Sequence, residues 1–123
     1  MADRRLTAAV ALAAVALACG CGPTPPQAPG PQAHRLNQAL STFSTACGHA
    51  AEVSAFSKSK ALMAGLDHLA ESKVPTLVAI WRRNRNWVFQ GKTVDQLVHT
   101  SVSFMTECGL HEAAARLQAA TSG

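Results

Sequence analysis

The stretch TVDQLVHTSVSFMTECGL, residues 93–110, contains a whole helix with both of its ends marked. Thr93 and Gln96 have the spacing of a capping box, in which each side chain accepts a hydrogen bond from the other residue's backbone N–H. Gly109 suits the left-handed conformation that ends many helices. Between these ends, residues suited to one face recur at helical spacing and predict an amphipathic helix; they are Val94, Val98, Ser101, Met105 and Cys108.

The same periodicity continues on both sides of this helix. Upstream, an apolar stripe predicts a first helix that ends near Phe56; the stripe consists of Leu36, Leu40, Phe43, Cys47 and Ala50. Downstream, a short last helix is expected at about Leu110 to Ala120. The chain has no tyrosine and little strict alternation of apolar and polar residues, so strands are not expected.

A proline interrupts the remaining apolar stripe, which contains Leu62, Leu66, Leu69, Leu77 and Ile80. Pro75 should break or kink a helix, because it lacks a backbone N–H and its ring clashes with the preceding turn. The apolar phase continues beyond Pro75, which favours one long second helix over about residues 57–83, kinked near Val74. The alternative is two helices, with Ser72 as a new N-cap and Pro75 in the first turn.

The chain begins with the pattern of a secretory signal peptide over residues 1–18. Arg4 and Arg5 form a basic start, and Leu6 to Ala18 carries no charge and is nearly all Ala, Val and Leu. This apolar run is shorter than the roughly 20 residues that a stable transmembrane helix needs. A cleaved signal is therefore favoured over the alternative, an N-terminal anchor that stays uncleaved.

The end of this signal, Ala16-Leu17-Ala18-Cys19, resembles the lipobox of bacterial lipoproteins, although Ala16 stands where leucine is usual. The resemblance implies that Cys19 is lipidated on sulfur and becomes the first residue of the mature chain; Cys21 is the alternative. It also implies that acyl chains hold the protein at the extracytoplasmic face of the cell membrane. The resemblance covers only the first 21 residues and implies nothing about the domain beyond them.

Residues 19–33 have the composition of a linker. Five prolines and no charged residue lie between Gly20 and Ala33. Such a segment cannot bury enough apolar surface to fold, and its prolines favour the extended polyproline conformation. About 14 residues in that conformation would hold a domain roughly 40 Å from the membrane.

Cys47 and Cys108 are the two cysteines of the predicted domain, and both lie on core stripes. Exported domains usually oxidise such a pair, although two buried free thiols are the alternative. A bridge would close a loop of about 60 residues and stabilise the fold by about 4 kcal/mol in the chain-entropy model. The prediction is thus an all-α domain over residues 34–123, a small antiparallel bundle of about four helices with one disulfide.

Two histidines lie beside these cysteines, in Cys47-Gly48-His49 and Cys108-Gly109-Leu110-His111. Two Cys and two His side chains can hold a metal ion, so Cys47, His49, Cys108 and His111 form an alternative ligand set. Their spacing is not that of a zinc finger, and export favours oxidation over thiolate ligation. We therefore expect neither a metal site nor another cofactor.

Asp95, His99 and Ser103 follow one another at intervals of four residues and so line one helix face. A catalytic triad needs such groups to converge from different elements on an oxyanion site, which a straight row does not provide. We interpret the row as a solvated face with an Asp–His pair. Motifs of hydrolases, metalloproteases and phosphate-binding loops are absent, so an enzyme is not expected.

The densest cluster of arginines and aromatic residues is WRRNRNWVF, residues 81–89. Its candidate contact residues are Trp81, Arg82, Arg83, Arg85 and Trp87. They suit an acidic envelope protein or anionic lipid headgroups, with about 1 kcal/mol for each arginine near an anionic surface. Nucleic acid is not expected as a partner outside the cytoplasm. In the alternative, structural interpretation, the arginines satisfy the last carbonyls of a helix.

The expected function is that of a non-catalytic binding or scaffolding module at the cell envelope, anchored to the membrane by its N-terminal lipid. The alternative is a carrier that holds a small apolar ligand, haem or a metal ion between its helices. Aromatic residues at helical spacing are more often ordinary core, which favours the binding module. The candidates for lining a carrier pocket are Phe43, Phe56, Trp81, Phe89 and Phe104.

Overall fold

A computed structural model describes residues 25–53 and 60–122 of the chain. The described residues form five helices, α1 (Gly30–Val53), α2 (Lys60–Glu71), α3 (Val74–Arg83), α4 (Val94–Cys108) and α5 (His111–Ala120). A small antiparallel hairpin of β1 (Val88–Phe89) and β2 (Lys92–Thr93) joins α3 to α4. The prediction of an all-α bundle with one disulfide is confirmed.

Both ends of α4 have the capping contacts that its sequence predicts. The Thr93 hydroxyl accepts a hydrogen bond from the Gln96 backbone N–H at 3.1 Å, and the Gln96 side chain accepts one from the Thr93 N–H at 2.8 Å. Gly109 has a φ of 96°, and its N–H donates to the carbonyls of Met105 and Thr106. These contacts involve neighbouring residues only, which is why the sequence alone predicts them.

The predicted long second helix is wrong, and its alternative of two helices is right. α2 ends at Glu71 and α3 begins at Val74, which places Pro75 in the first turn, where its missing N–H has no helical partner to lose. The cap, however, is Lys73, without a side-chain hydrogen bond. Ser72 instead donates its hydroxyl to the Leu69 carbonyl at 2.6 Å, so it belongs to the end of α2.

The first helix begins at Gly30, so residues 30–33, which the sequence assigns to the linker, form its first turn. The preceding residues are also in contact with the domain. The Val88 N–H donates to the Pro26 carbonyl and the Ala28 N–H donates to the Val88 carbonyl, both at 2.9 Å. Proline keeps its carbonyl as an acceptor, which is why a proline-rich segment can pair along a sheet edge. The linker prediction for residues 19–24 lies outside the described residues.

The hydrophobic core lies where α1 packs against α2, α3 and α4, with α5 closing the far side against α2, α3 and α4. Its largest buried side chains come from the described helices and their connections, and they are Phe43, Leu36, Leu77, Met105, Leu110, Leu117, Val94 and Val98. The stripes that predicted the first and third helices supply five of these eight residues. Helical periodicity therefore identifies the buried faces of α1 and α4 correctly. It does not do so for α2, where Leu62 is 61% exposed and Leu69 45% exposed, and Ala70 is buried instead.

A carboxylate from α2 caps the N-terminus of α5. Asp67 accepts hydrogen bonds from the backbone N–H groups of Glu112, at 3.1 Å, and Ala113, at 2.8 Å. The residue at the cap position itself, Leu110, has no side chain that can accept a bond. Asp67 thus satisfies two otherwise unpaired donors and places a negative charge at the positive end of the helix dipole.

Replacing Asp67 with alanine should therefore lower the free energy of unfolding by about 1–2 kcal/mol, the usual cost of losing a cap. Asp67→Asn should lose less, because the amide oxygen still accepts a hydrogen bond but the charge is gone. Urea denaturation followed by circular dichroism measures both. Glu107→Ala, at an exposed site without a described partner, serves as the control and should stay within about 0.5 kcal/mol. Equal losses for Asp67→Ala and Glu107→Ala would contradict the cap.

Candidate functional site

Cys47 and Cys108 form a disulfide, as predicted. Cys47 is on the buried face of α1 and Cys108 is the last residue of α4, with their Cα atoms 5.4 Å apart and a sequence separation of 61. Cys47 is 4% exposed. The bond joins the end of α4 to the last two turns of α1.

The disulfide removes the thiolates from the alternative metal-ligand set. His49 is exposed and its Nδ1 lies 3.6 Å from the Glu52 carboxylate, while His111 is exposed at the start of α5. Within residues 25–53 and 60–122, no group of three or more His, Cys, Asp or Glu side chains could hold a metal ion. The alternative set of Cys47, His49, Cys108 and His111 is therefore not assembled.

Trp81 belongs to the core, which corrects its assignment as a contact residue. Its side chain is in the last turns of α3, is 6% exposed, and donates its Nε1–H to Asp95 Oδ1 at 2.8 Å. The Arg85 guanidinium lies over the ring, 4.1 Å from its centroid, in a cation–π contact. Trp81 therefore joins α3 to the start of α4, and Arg85 covers it from the solvent side. Trp87 is half-buried against the core.

The row Asp95, His99 and Ser103 lies along one face of α4, as interpreted from its spacing. Asp95 uses one carboxylate oxygen for Trp81 and places the other 3.5 Å from His99 Nε2. His99 is three-quarters exposed, and in the described structure no hydrogen bond joins it to Ser103. The carboxylate thus has a structural partner, and the imidazole has no positioned hydroxyl to activate.

Two of the predicted arginines line a groove together with an arginine that the sequence does not single out. Arg82 and Arg83 lie at the exposed end of α3, and Arg35 comes from the second turn of α1. The groove has a volume of about 560 Å³. We call it the basic groove; its polar lining is Gln32, Arg35, Thr76, Arg82 and Arg83, and the rest is apolar surface of α3.

The lining of the basic groove contains no acidic residue. Among the described ion pairs, Arg116 contacts Glu71, but Arg35, Arg82 and Arg83 contact no carboxylate of the described chain. Three positive charges therefore face one concave surface without compensation. Such an arrangement has a local positive potential that attracts anions.

A second groove, of about 650 Å³, adjoins the basic groove and shares Arg82 with it. Here one carboxylate opposes the two arginines, Arg82 and Arg116. Glu71 contacts Arg116 and also lies 3.2 Å from His68 Nδ1. Glu71 is only 14% exposed, whereas its partners Arg116 and His68 are 67% and 81% exposed. The second groove therefore has a smaller net positive charge than the basic groove.

The aromatic residues proposed for a carrier pocket do not surround a common cavity. Phe43 is fully buried in the core at 1% exposure, whereas Phe104 is 42% exposed on the surface. Phe89 packs partly buried against the core from the hairpin, and Phe56 lies outside the described residues. These five residues are therefore not brought together as one set in the described part of the chain.

The predicted N-terminal features, which are the signal over residues 1–18 and lipidation at Cys19 or Cys21, lie outside the described residues. In the part of the chain that is described, none of the helices combines the length and the apolar character needed to span a bilayer. A comparison with protein-family models finds no match to the chain, and comparisons with curated proteins and with solved structures find none either. The chemistry of the grooves is therefore the basis for a proposal about function.

Proposed function

We propose that this chain is a lipid-anchored, non-catalytic binding module at the extracytoplasmic face of the cell membrane. The observation that carries the binding role is the basic groove, in which Arg35, Arg82 and Arg83 lack carboxylate partners among the described residues. A cluster of positive charges destabilises the fold, because its members repel one another. An anionic partner would relieve that repulsion.

The proposed location rests on two observations. The lipobox-like Ala16-Leu17-Ala18-Cys19 supports export and lipid anchoring. The Cys47–Cys108 disulfide supports an oxidising compartment, since such bonds are rare in the reducing cytosol. The two features are in different parts of the chain and agree.

The role proposed is binding rather than catalysis. Asp95 is held by Trp81, and Glu71 is held by Arg116 and His68. Neither carboxylate is paired with a nucleophile, and a general base must lie within hydrogen-bond reach of the proton that it removes. The arginines, in contrast, are permanently charged donors, whose chemistry is recognition of carboxylate or phosphate.

The anchor is tested by expressing the full chain in a bacterial host fed with labelled palmitate. The native chain should carry the label and sediment with the membranes, whereas Cys19→Ser should carry none and leave the membrane fraction. Cys21→Ser is the matched control and should behave as the native chain. Loss of label in Cys21→Ser alone would assign lipidation to the alternative site. An unlabelled native chain in the soluble fraction would overturn the proposed anchor.

A further inference from the structure

The proline-rich segment is in contact with the domain at the point where the chain enters it. Residues 26–28 exchange two backbone hydrogen bonds with Val88, and Gln27 pairs with Val88 in parallel orientation. Because the two segments run parallel, Pro25 and Pro26 lie on the same side of this pair as the turn that precedes Val88. That turn, residues 84–87, directly follows Arg83. The chain therefore reaches the domain beside the end of α3.

Because of this contact, a lipid on Cys19 would hold the domain closer to the membrane than a free linker over residues 19–33 would. Only residues 20–24 separate Cys19 from Pro25, the first described residue. Six Cα-to-Cα steps reach at most about 22 Å, whatever their conformation. With lipidation at Cys21, the reach is shorter still. The domain would thus lie close to the headgroups, instead of at the end of a stalk of roughly 40 Å.

The basic groove runs along α3 and reaches the end of that helix beside this entry point. Gln32 and Arg35 belong to the first two turns of α1, which begins directly after the docked segment. Arg82 and Arg83 end α3, directly before the turn that precedes Val88. A tether that enters here brings this end of the domain toward the membrane.

We propose that Arg35, Arg82 and Arg83 bind the phosphate groups of anionic lipid headgroups, so that tether and groove together hold the domain against the membrane. This inference rests on the proposed lipid anchor. The guanidinium group donates two parallel hydrogen bonds to phosphate oxygens, which a lysine ammonium cannot do. Three such groups on one concave surface match a layer of headgroups that each carry a negative charge.

The short tether favours lipid over an acidic protein as the occupant. An anchored domain is surrounded by headgroups at a high effective concentration, so even weak attraction at each arginine is sufficient. A protein partner would have to displace these headgroups within a gap of about 22 Å or less. Binding of an acidic protein instead of lipid is one outcome of the experiment below.

The test uses the chain that begins at residue 19, which contains every described residue. Cys19→Ser and Cys21→Ser keep it unlipidated, and its binding to lipid vesicles is measured. Vesicles of phosphatidylcholine alone are compared with vesicles that contain phosphatidylglycerol, by co-sedimentation at low salt. The chain should bind the anionic vesicles and not the neutral ones. Combining Arg35→Gln, Arg82→Gln and Arg83→Gln should weaken this binding about a hundredfold, from the attraction expected for three arginines at an anionic surface.

The matched control combines Lys60→Gln, Lys73→Gln and Lys92→Gln, which removes the same charge from residues that do not line the basic groove. It should retain most of the binding, and circular dichroism should show both variants folded. Equal weakening by the two triple variants would overturn the groove and indicate general attraction by net charge. If the native chain did not bind anionic vesicles, the inference would be overturned. The same holds if it bound an acidic protein but not the vesicles. Palmitate labelling would still support the proposed anchor in that case.

Discussion

A chain in which Cys47 and Cys108 are both replaced by alanine is expected to be about 4 kcal/mol less stable than the native protein. The bond closes a loop of 61 residues, and removing it restores the conformational freedom of that loop to the unfolded chain. Small domains have only about 5–15 kcal/mol of stability in total. The loss is therefore a large share of the margin, and the variant should be partly unfolded at 37 °C.

Urea denaturation of the oxidised native chain, the reduced native chain and the double variant measures this effect. The reduced chain and the double variant should unfold at similar, lower urea concentrations, because both lack the same crosslink. Cys19→Ser with Cys21→Ser is the matched control and should leave the transition unchanged. A double variant as stable as the oxidised native chain would show that the bond does not constrain the unfolded state.

Features of the fold that depend on neighbouring residues could be predicted from the sequence. The capping box at Thr93 and the left-handed Gly109 are local, and the stripes of α1 and α4 are periodic over several turns. The break at Pro75 was harder to predict, because the apolar phase of α2 continues into α3 and is equally consistent with one kinked helix. The disulfide could be predicted because two cysteines allow only one pairing in the domain.

The hairpin could not be predicted, since each of its strands has only two residues. Its turn needs positive φ at two positions, and both Gln90, at 51°, and Gly91, at 81°, provide it. Only Gly91 carries that signal in the sequence, because glutamine rarely adopts this conformation. The docking of residues 26–28 depends on this hairpin and was missed for the same reason.

The basic groove was predicted in part. Arg82 and Arg83 are conspicuous in the sequence, but Arg35 reaches them only because α1 packs against α3. No local pattern shows which residues of two helices lie side by side. The same limit explains the error at Trp81, whose partner Asp95 lies 14 positions away in sequence.

Trp81→Ala should destabilise the domain by about 3–5 kcal/mol, because Trp81 is buried in the core. The substitution leaves a cavity where α3 meets α4 and removes the ring on which Arg85 lies. It also removes the donor to Asp95, whose carboxylate is 37% exposed and so regains only part of its hydration. Thermal and urea denaturation of the oxidised chain measure the loss. Trp87→Ala, at the half-buried tryptophan, should cost clearly less.

Trp81→Phe separates the structural role of this tryptophan from a contact role. The phenyl ring keeps most of the buried volume but cannot donate to Asp95, so a loss of about 1–2 kcal/mol is expected. Because Trp81 is 6% exposed and covered by Arg85, this variant should bind anionic vesicles as the native chain does. The Arg35, Arg82 and Arg83 triple variant should show the opposite pattern, with weak binding and nearly native stability. If Trp81→Phe weakened vesicle binding at unchanged stability, the ring would be part of the contact surface, and its assignment to the core would be wrong.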